Sequence, residues 1–293
     1  MIPLPGTTEQ LSADDGTALS ARSWAGSEPS VFFAHGNGFS KELWSPVVTA
    51  LAALGSDASG VAFDMRGHGD SGAISPPLGL NVFGSDVGVV LAESRRRERI
   101  GPRTIGIGHS SGGASIAIAA INNPRAFAHL VLVEPIIFPP PYQRLDSIPI
   151  AEIALRRKAS FPDRDAALYN FRDKEPFAMW TEDALDAYVD GAMRVTDDGL
   201  VLKCTPETEA EIYRIGAAHD TWERLGSITQ PVTLIVGATS TTHSGSYLEE
   251  LTARFREVRL EVIPDASHFV PMEVPGVVAA AIATAIEPVE LDQ

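Results

Sequence analysis

Thr104-Ile105-Gly106-Ile107-Gly108-His109-Ser110-Ser111-Gly112-Gly113 is the stretch on which the fold turns. It opens as a short apolar strand over 104–108 and runs on into 112–122, a small-residue segment of helical character. Between them, Gly108-His109-Ser110-Ser111-Gly112 fits the pattern G-x-S-x-G. A strand-to-helix turn this tight leaves no room for a Cβ two residues either side of its apex, which calls for glycine there. The apex residue is held in a strained corner at a helix N-terminus, where unpaired N–H groups and positive potential gather. A purely structural turn would need the glycines but not the serine. Ser110 is therefore expected to be a nucleophile. Ser111 is the rival, but no glycine stands two residues before it.

Outward from this turn, strand and helix signals alternate. Upstream lie a hairpin over 9–24 turning at Asp14-Asp15-Gly16, an apolar run at 31–34, helical spacing over 44–54, a buried-strand run at 61–63 and a helix over 82–94. Downstream, a strand at 130–133 ends at Glu134. The alternation then breaks: 136–226 holds helical stretches at 151–159, 165–171, 182–193 and 207–218, and no core-type strand. It resumes with strands at 232–236 and 259–263 and helices near 247–254 and over 276–286. Strands apolar on both faces, interleaved with helices, predict an α/β fold with a parallel sheet covered on both sides. The core domain is expected over 1–135 and 227–293, with 136–226 inserted as a helical cap.

Composition narrows the partners. The formal charge of −15 repels phosphate backbones and anionic lipid, so neither nucleic acid nor membrane is expected. The basic run Arg95-Arg96-Arg97-Glu98-Arg99 reads as the solvated end of a helix. Cys204 is the single cysteine, which excludes an internal disulfide and a cysteine-rich zinc site. The N-terminus has no charged and apolar leader and no apolar run reaches bilayer length, so a cytoplasmic location is expected.

A serine nucleophile needs a base. Of the seven histidines, His35 starts the loop after the first parallel strand, His68 lies in a turn, His109 is inside the elbow and His129 precedes a strand. His219 and His243 fall in polar loop or helix-end contexts. His268 alone follows the last strand, on the sheet edge that also carries Ser110 and where ligands bind in such folds. It is the expected base.

Taken together, His35-Gly36-Asn37-Gly38, Asp64-Met65-Arg66-Gly67-His68-Gly69-Asp70-Ser71, Gly108-His109-Ser110-Ser111-Gly112-Gly113 and His268-Phe269 resemble the α/β-hydrolase superfamily, in that family's order and across nearly the whole chain. The resemblance implies an eight-stranded sheet, a cap after the sixth strand and a Ser–His–acid mechanism without cofactor or metal. Members of the family most often carry the acid after the seventh strand. Here that position reads Gly237-Ala238-Thr239-Ser240-Thr241-Thr242, with no carboxylate. The family's other placement, the end of the sixth strand, holds Glu134, followed by Pro135, which is expected to keep Glu134 extended. Asp265 is the rival acid, three residues from His268. The resemblance also places the oxyanion-hole donors at Asn37 and Ser111, although Gly38-Phe39 departs from the family's more frequent loop. This placement resembles haloalkane dehalogenases and some lactone-cleaving members; the dehalogenases and the epoxide hydrolases of this fold use Asp as nucleophile, which Ser110 argues against. The expected substrate is a bulky, mostly apolar ester or lactone. Thioester or C–C bond hydrolysis, and a non-enzymatic receptor on the same scaffold, stay open, as does the oligomeric state.

Overall fold

The computed structural model describes residues 2–75 and 79–287. The chain begins with β1 (Thr7–Ser12), β2 (Ala18–Trp24) and β3 (Ser27–Ala34), then α1 (Ser45–Ala53), β4 (Ala58–Phe63), α2 (Asn81–Arg96), β5 (Thr104–His109), α3 (Ser111–Asn122) and β6 (His129–Val133). A long excursion follows, with α4 (Pro149–Leu155), β7 (Ser160–Phe161), α5 (Arg164–Arg172), α6 (Glu182–Ala192), β8 (Met193–Thr196), β9 (Gly199–Leu202) and α7 (Pro206–Ile215). The chain returns through α8 (Thr221–Arg224), β10 (Val232–Gly237), α9 (Gly245–Ala253), β11 (Val258–Ile263), α10 (Val270–Glu273) and α11 (Pro275–Ile286).

Eight strands form one sheet in the order β1-β2-β4-β3-β5-β6-β10-β11. β2 runs antiparallel to β1 and to β4, and every other pair is parallel. Strand alternation divides the apolar residues between two cores. Phe32, Val61, Phe63, Leu130, Leu132, Leu234 and Val236 join residues of α2, α3 and α9 on one face. Val31, Phe33, Ile105, Ile107, Val131, Val133 and Ile235 join residues of α1 and α11 on the other. Each such Val, Leu, Ile or Phe contributes about 1.5–3 kcal/mol on full burial.

Two small-residue contacts set the layer spacing. Residues 111–121 of α3 are buried on every side, which Gly, Ala and Ser permit by letting the helix lie close on the sheet. Where α2 crosses α3, a Cβ on Gly84 would overlap Ile118. No helix among the described residues is long and apolar enough to cross a membrane.

The segment between β6 and β10 is not the purely helical block expected. β7, β9 and β8 pair as a three-stranded antiparallel sheet. Its hairpin turns at Asp197-Asp198 before Gly199, whose φ of 122° only glycine adopts easily. The Asp-Gly signal is in the sequence, but the strands beside it are too short and too exposed to read as core strands. Consequently the helix expected over 182–193 stops at Ala192.

The parallel strands all point their C-terminal ends to one edge of the sheet. His35, Asp64, Ser110 and Glu134 each follow directly on a strand end there, and the loops after β10 and β11 open on the same edge.

Candidate active site

Ser110 stands between β5 and α3 with φ 54° and ψ −118°. Its peptide groups are fully used: the N–H donates to Val133 O at 3.0 Å, and the carbonyl accepts from the N–H groups of Ala114 at 3.1 Å and Ile136 at 3.2 Å. The flanking glycines are obligatory. A Cβ on Gly112 would overlap the Ala34 carbonyl, and one on Gly108 would lie 2.6 Å from Gly113 Cα. Ser110 is 9% exposed, whereas Ser111 is sealed at 0%. Only the first can meet a substrate.

Among the described residues, four that are not glycine have positive φ, and three of them lie here: Ser110, Glu134 at 49° and Asp265 at 60°. Strain of this kind persists only where surrounding contacts over-determine it. The value at Glu134 corrects the expectation that Pro135 keeps this residue extended. The backbone instead adopts the left-handed region at the tip of β6, and the side chain meets several hydrogen-bond donors. Glu134 Oε1 accepts from the Gly237 N–H at 2.9 Å, and Oε2 accepts from Ser240 Oγ at 2.8 Å. His268 Nδ1 lies 2.9 Å from the same Oε2, and His243 Nδ1 stands 2.7 Å from it. These contacts offset the backbone cost. Burial alone would push the Glu134 carboxyl up, but the contacts from His243 and His268 outweigh it and hold the group well below the ordinary carboxylate range.

His268 thus meets Glu134 through Nδ1. Its backbone carbonyl accepts from His109 Nε2 at 2.9 Å, so the elbow itself braces the loop that carries His268. Ser110 and His268 are not hydrogen-bonded to each other in this structure. Such contacts are commonly loose before substrate arrives. Asp265 is exposed, in a left-handed turn, and shapes the loop rather than touching the imidazole.

The loop 35–38 is fixed from below. His35 donates through Nδ1 to Gly36 O at 2.8 Å and accepts the Met65 N–H through Nε2 at 3.0 Å. His68 accepts the Gly38 N–H through Nε2 at 2.9 Å. Burial lowers His35 to about 4 and His68 to about 3, which keeps both neutral and able to accept. The turn bearing His68 is in turn organised by Asp64, whose carboxylate takes the Lys41 N–H at 2.8 Å, Lys41 Nζ at 2.6 Å and the Asp70 N–H at 2.9 Å. Arg66 forks onto Asp86 with two contacts of 2.7 Å. The Asp64–Ser71 motif therefore serves the site at one remove, by holding the loop of Asn37. The Asn37 side chain donates to Glu209 O of α7 at 2.9 Å, leaving its own backbone N–H without an acceptor among the described residues. Ser111 opens α3, and no carbonyl of the helix can reach its N–H.

Three features escaped the sequence reading: Ser240, His243 and the Glu209 carbonyl. The signal for the first two was the loop after β10, where hydroxyls and a histidine replace the missing carboxylate. The remaining histidines are structural, His129 bonding Thr233 Oγ1 at 2.9 Å and His219 bonding Thr221 Oγ1 at 2.7 Å and Ile136 O at 3.2 Å.

Aromatic side chains surround the edge. Phe39 stacks near His109 with ring centroids 6.1 Å apart, and Phe269 lies 5.3 Å from His268. Trp180 touches both, at 5.6 and 5.7 Å. Phe171 and Phe177 are buried behind it with Tyr188, while Met179 is 62% exposed.

By composition, Glu134, His243 and His268 could hold a divalent cation, since one ligand atom from each lies within 4.8 Å of the others. His268 Nδ1, however, is already hydrogen-bonded to Glu134 Oε2, an oxygen that also accepts from Ser240.

A family model described as "Alpha/beta hydrolase family" matches residues 31–281. The abhydrolase domain-containing protein AKT2 of Alternaria alternata is 26% identical over 220 residues, which is 62% of this chain and 82% of that protein. The crystal structure of E-2-(acetamidomethylene)succinate hydrolase superposes with a TM-score of 0.76 at 23% identity, covering 96% of this chain and 100% of the other. A thioesterase domain from the curacin biosynthetic pathway superposes at 0.75 with 20% identity over 96% and 100%. At these identities the two structures speak for the fold.

Proposed function

The chain belongs to the alpha/beta hydrolase family, and from that premise we propose that it is a serine hydrolase cleaving a carboxylic ester or lactone through an acyl-enzyme. The observation that carries the reading is the 2.9 Å contact of His268 Nδ1 with the buried Glu134 carboxylate, on the same sheet edge as a strained, reachable Ser110. A proton on Nδ1 leaves Nε2 as the free base. Ser110 Oγ attacks the carbonyl carbon and its proton passes to His268 Nε2. The oxyanion receives the N–H groups of Asn37 and Ser111, for which no acceptor is found among the described residues. Collapse breaks the C–O bond, His268 returns the proton to the leaving oxygen, and water repeats the sequence to release the acid.

The segment 136–226 acts in this reading as a cap that sets substrate choice. Its Trp180 meets Phe39 and Phe269, the aromatic neighbours of the site, which favours a bulky, mostly apolar acyl or alcohol part. The test is a panel of aryl esters, lactones and thioesters graded by size, run beside labelling with a fluorophosphonate and mapping of the modified residue. Turnover of the larger esters or lactones with the label on Ser110 is expected. A label on Ser111, or neither turnover nor label, overturns the reading.

A further inference from the structure

β11 forms one edge of the eight-stranded sheet. Its bonds to β10 fix which backbone groups face outward. Val232 N–H donates to Glu257 O, and Ala238 N–H donates to Ile263 O. Successive residues of a strand turn to opposite sides, so the odd-numbered residues bond β10, and Val258, Leu260 and Val262 point their N–H and C=O groups away from it. Among the described residues, no hydrogen bond reaches those outward groups. The side chains of the same three residues share one face, in register with Val232, Leu234 and Val236 of β10. Leu260 is nevertheless 37% exposed and Val262 48%, because β11 packs mainly on β10.

The opposite edge is finished differently. β1 carries Thr7, Thr8, Glu9, Gln10 and Ser12, and Arg97 meets Glu9 at 2.6 Å. Polar and charged side chains of this kind keep an edge from pairing. On β11 one face is apolar, and the other carries Arg259 and Glu261, which form an ion pair within the chain. This pattern is complementary to itself. In an antiparallel pairing of two copies centred on Leu260, the outward groups of residues 258, 260 and 262 meet their own counterparts. Leu260 then faces the partner's Leu260, and Val258 faces the partner's Val262. Arg259 faces the partner's Glu261, and Glu261 faces the partner's Arg259. The neighbouring registers, centred on residue 259 or 261, would set two arginines or two glutamates opposite each other, which is destabilising. The charges therefore select one register.

We propose that β11 is an interaction edge whose partner is a second copy of this chain, paired antiparallel about a twofold axis at Leu260. The two sheets then continue as one. Val258, Leu260 and Val262 of both copies form an apolar ladder on one face, and four alternating charges line the other. A pair of strands of 6 residues each is small beside the about 1,200–2,000 Å² of a standard interface, so the dimer forms reversibly and with concentration. The proposal does not depend on the hydrolase reading of Ser110.

The experiment uses the full chain. Sedimentation velocity between about 1 µM and 1 mM should show monomer passing to dimer. Glu261→Arg sets like charges across both ion-paired positions and should raise the dissociation constant by about tenfold or more. Combining it with Arg259→Glu exchanges the two charges, restores the pairing and should restore the dimer. Thermal unfolding of each variant separates loss of folding from loss of pairing, and the exchanged chain decides the matter if Glu261→Arg does not fold. Cysteine cross-linking reads the register. Leu260→Cys faces its own copy with Cα atoms about 5.5 Å apart, within disulfide reach, and should link on mild oxidation. Val262→Cys lies about 14 Å from its own copy in this register and should not link. The native Cys204 is buried and takes no part. A monomer throughout the range overturns the proposal. So does a dimer that neither charge variant alters, or linking at Val262→Cys as fast as at Leu260→Cys.

Discussion

Replacing Glu134 by glutamine tests the proposed acid with almost no change of shape. The carboxylate now accepts from Gly237 N–H on one oxygen and meets Ser240, His268 and His243 on the other. An amide can present an acceptor to one side only. With its oxygen toward Gly237, its NH2 faces His268 Nδ1 and selects the tautomer protonated on Nε2, which cannot take a proton from Ser110. With its oxygen toward His268, the NH2 opposes the Gly237 N–H, and two donors meet in a buried place. The first orientation preserves packing, so folding should lose only about 1.5–3 kcal/mol, the worth of a hydrogen bond to a charged group. Turnover should fall far more, by up to about 10⁴-fold, or about 5.4 kcal/mol of barrier, as expected for a wrong tautomer. Asp265→Asn is the control: the side chain is exposed and its turn tolerates asparagine, so rates should stay within about twofold. The assay is the turnover of an aryl ester and the fluorophosphonate labelling rate, beside urea unfolding for each variant. If Asp265→Asn slows both rates more than Glu134→Gln does, the assignment of the acid is wrong.

Ser110→Ala should fold normally and abolish labelling, while Ser110→Gly, freed of a Cβ at φ 54°, should be at least as stable as the alanine variant despite the usual cost of glycine, read by thermal unfolding. Stability should fall steeply below pH 6.5. His35, His68 and His109 are lowered by burial from 6.5 to about 4, 3 and 3, so the unfolded chain binds protons that the native one refuses, and stability rises with pH across that window. The three together should contribute about 4 kcal/mol per pH unit between pH 4 and 6. Glu134 adds in the same direction below its unfolded value near 4.5, because its native form is held ionised. A urea midpoint that stays flat from pH 7 to 5 would contradict this. Phe177, packed 4.7 Å from Trp180 and 5.2 Å from Tyr188, should cost about 3 kcal/mol or more as alanine. Trp180→Phe should instead keep the fold and shift the preferred ester size, leaving a minimal acetate ester nearly unaffected; an unchanged size profile would remove the cap from substrate choice.

Local chemistry made much of this protein legible from its residues alone. The elbow could be read because its glycines answer to steric limits within five residues, and the observed overlap at Gly112 with Ala34 is that limit in space. The central parallel strands could be read because each buries both faces, so 31–34, 61–63 and 130–133 are apolar without gaps and 232–236 is broken only by Thr233. Glu134 was reachable by position, at the tip of a strand on the edge that carries Ser110. Its conformation was not, because the local bias of Pro135 toward an extended residue was overridden by donors roughly a hundred positions away. The same holds for His243, which in sequence is one polar loop residue among several. Its pairing with Glu134 exists only because β10 lies beside β6 in the sheet and the loops at their ends fold toward each other. The Asp64–Ser71 turn likewise announces itself by its residues, yet its support of the loop 35–38 arises where β4 and β3 run side by side and His68 meets Gly38. Hydrophobic period and backbone sterics act between near neighbours and leave their mark on the chain. Hydrogen bonds between loop ends depend on which strands become adjacent, and that is settled by the packing of the whole sheet.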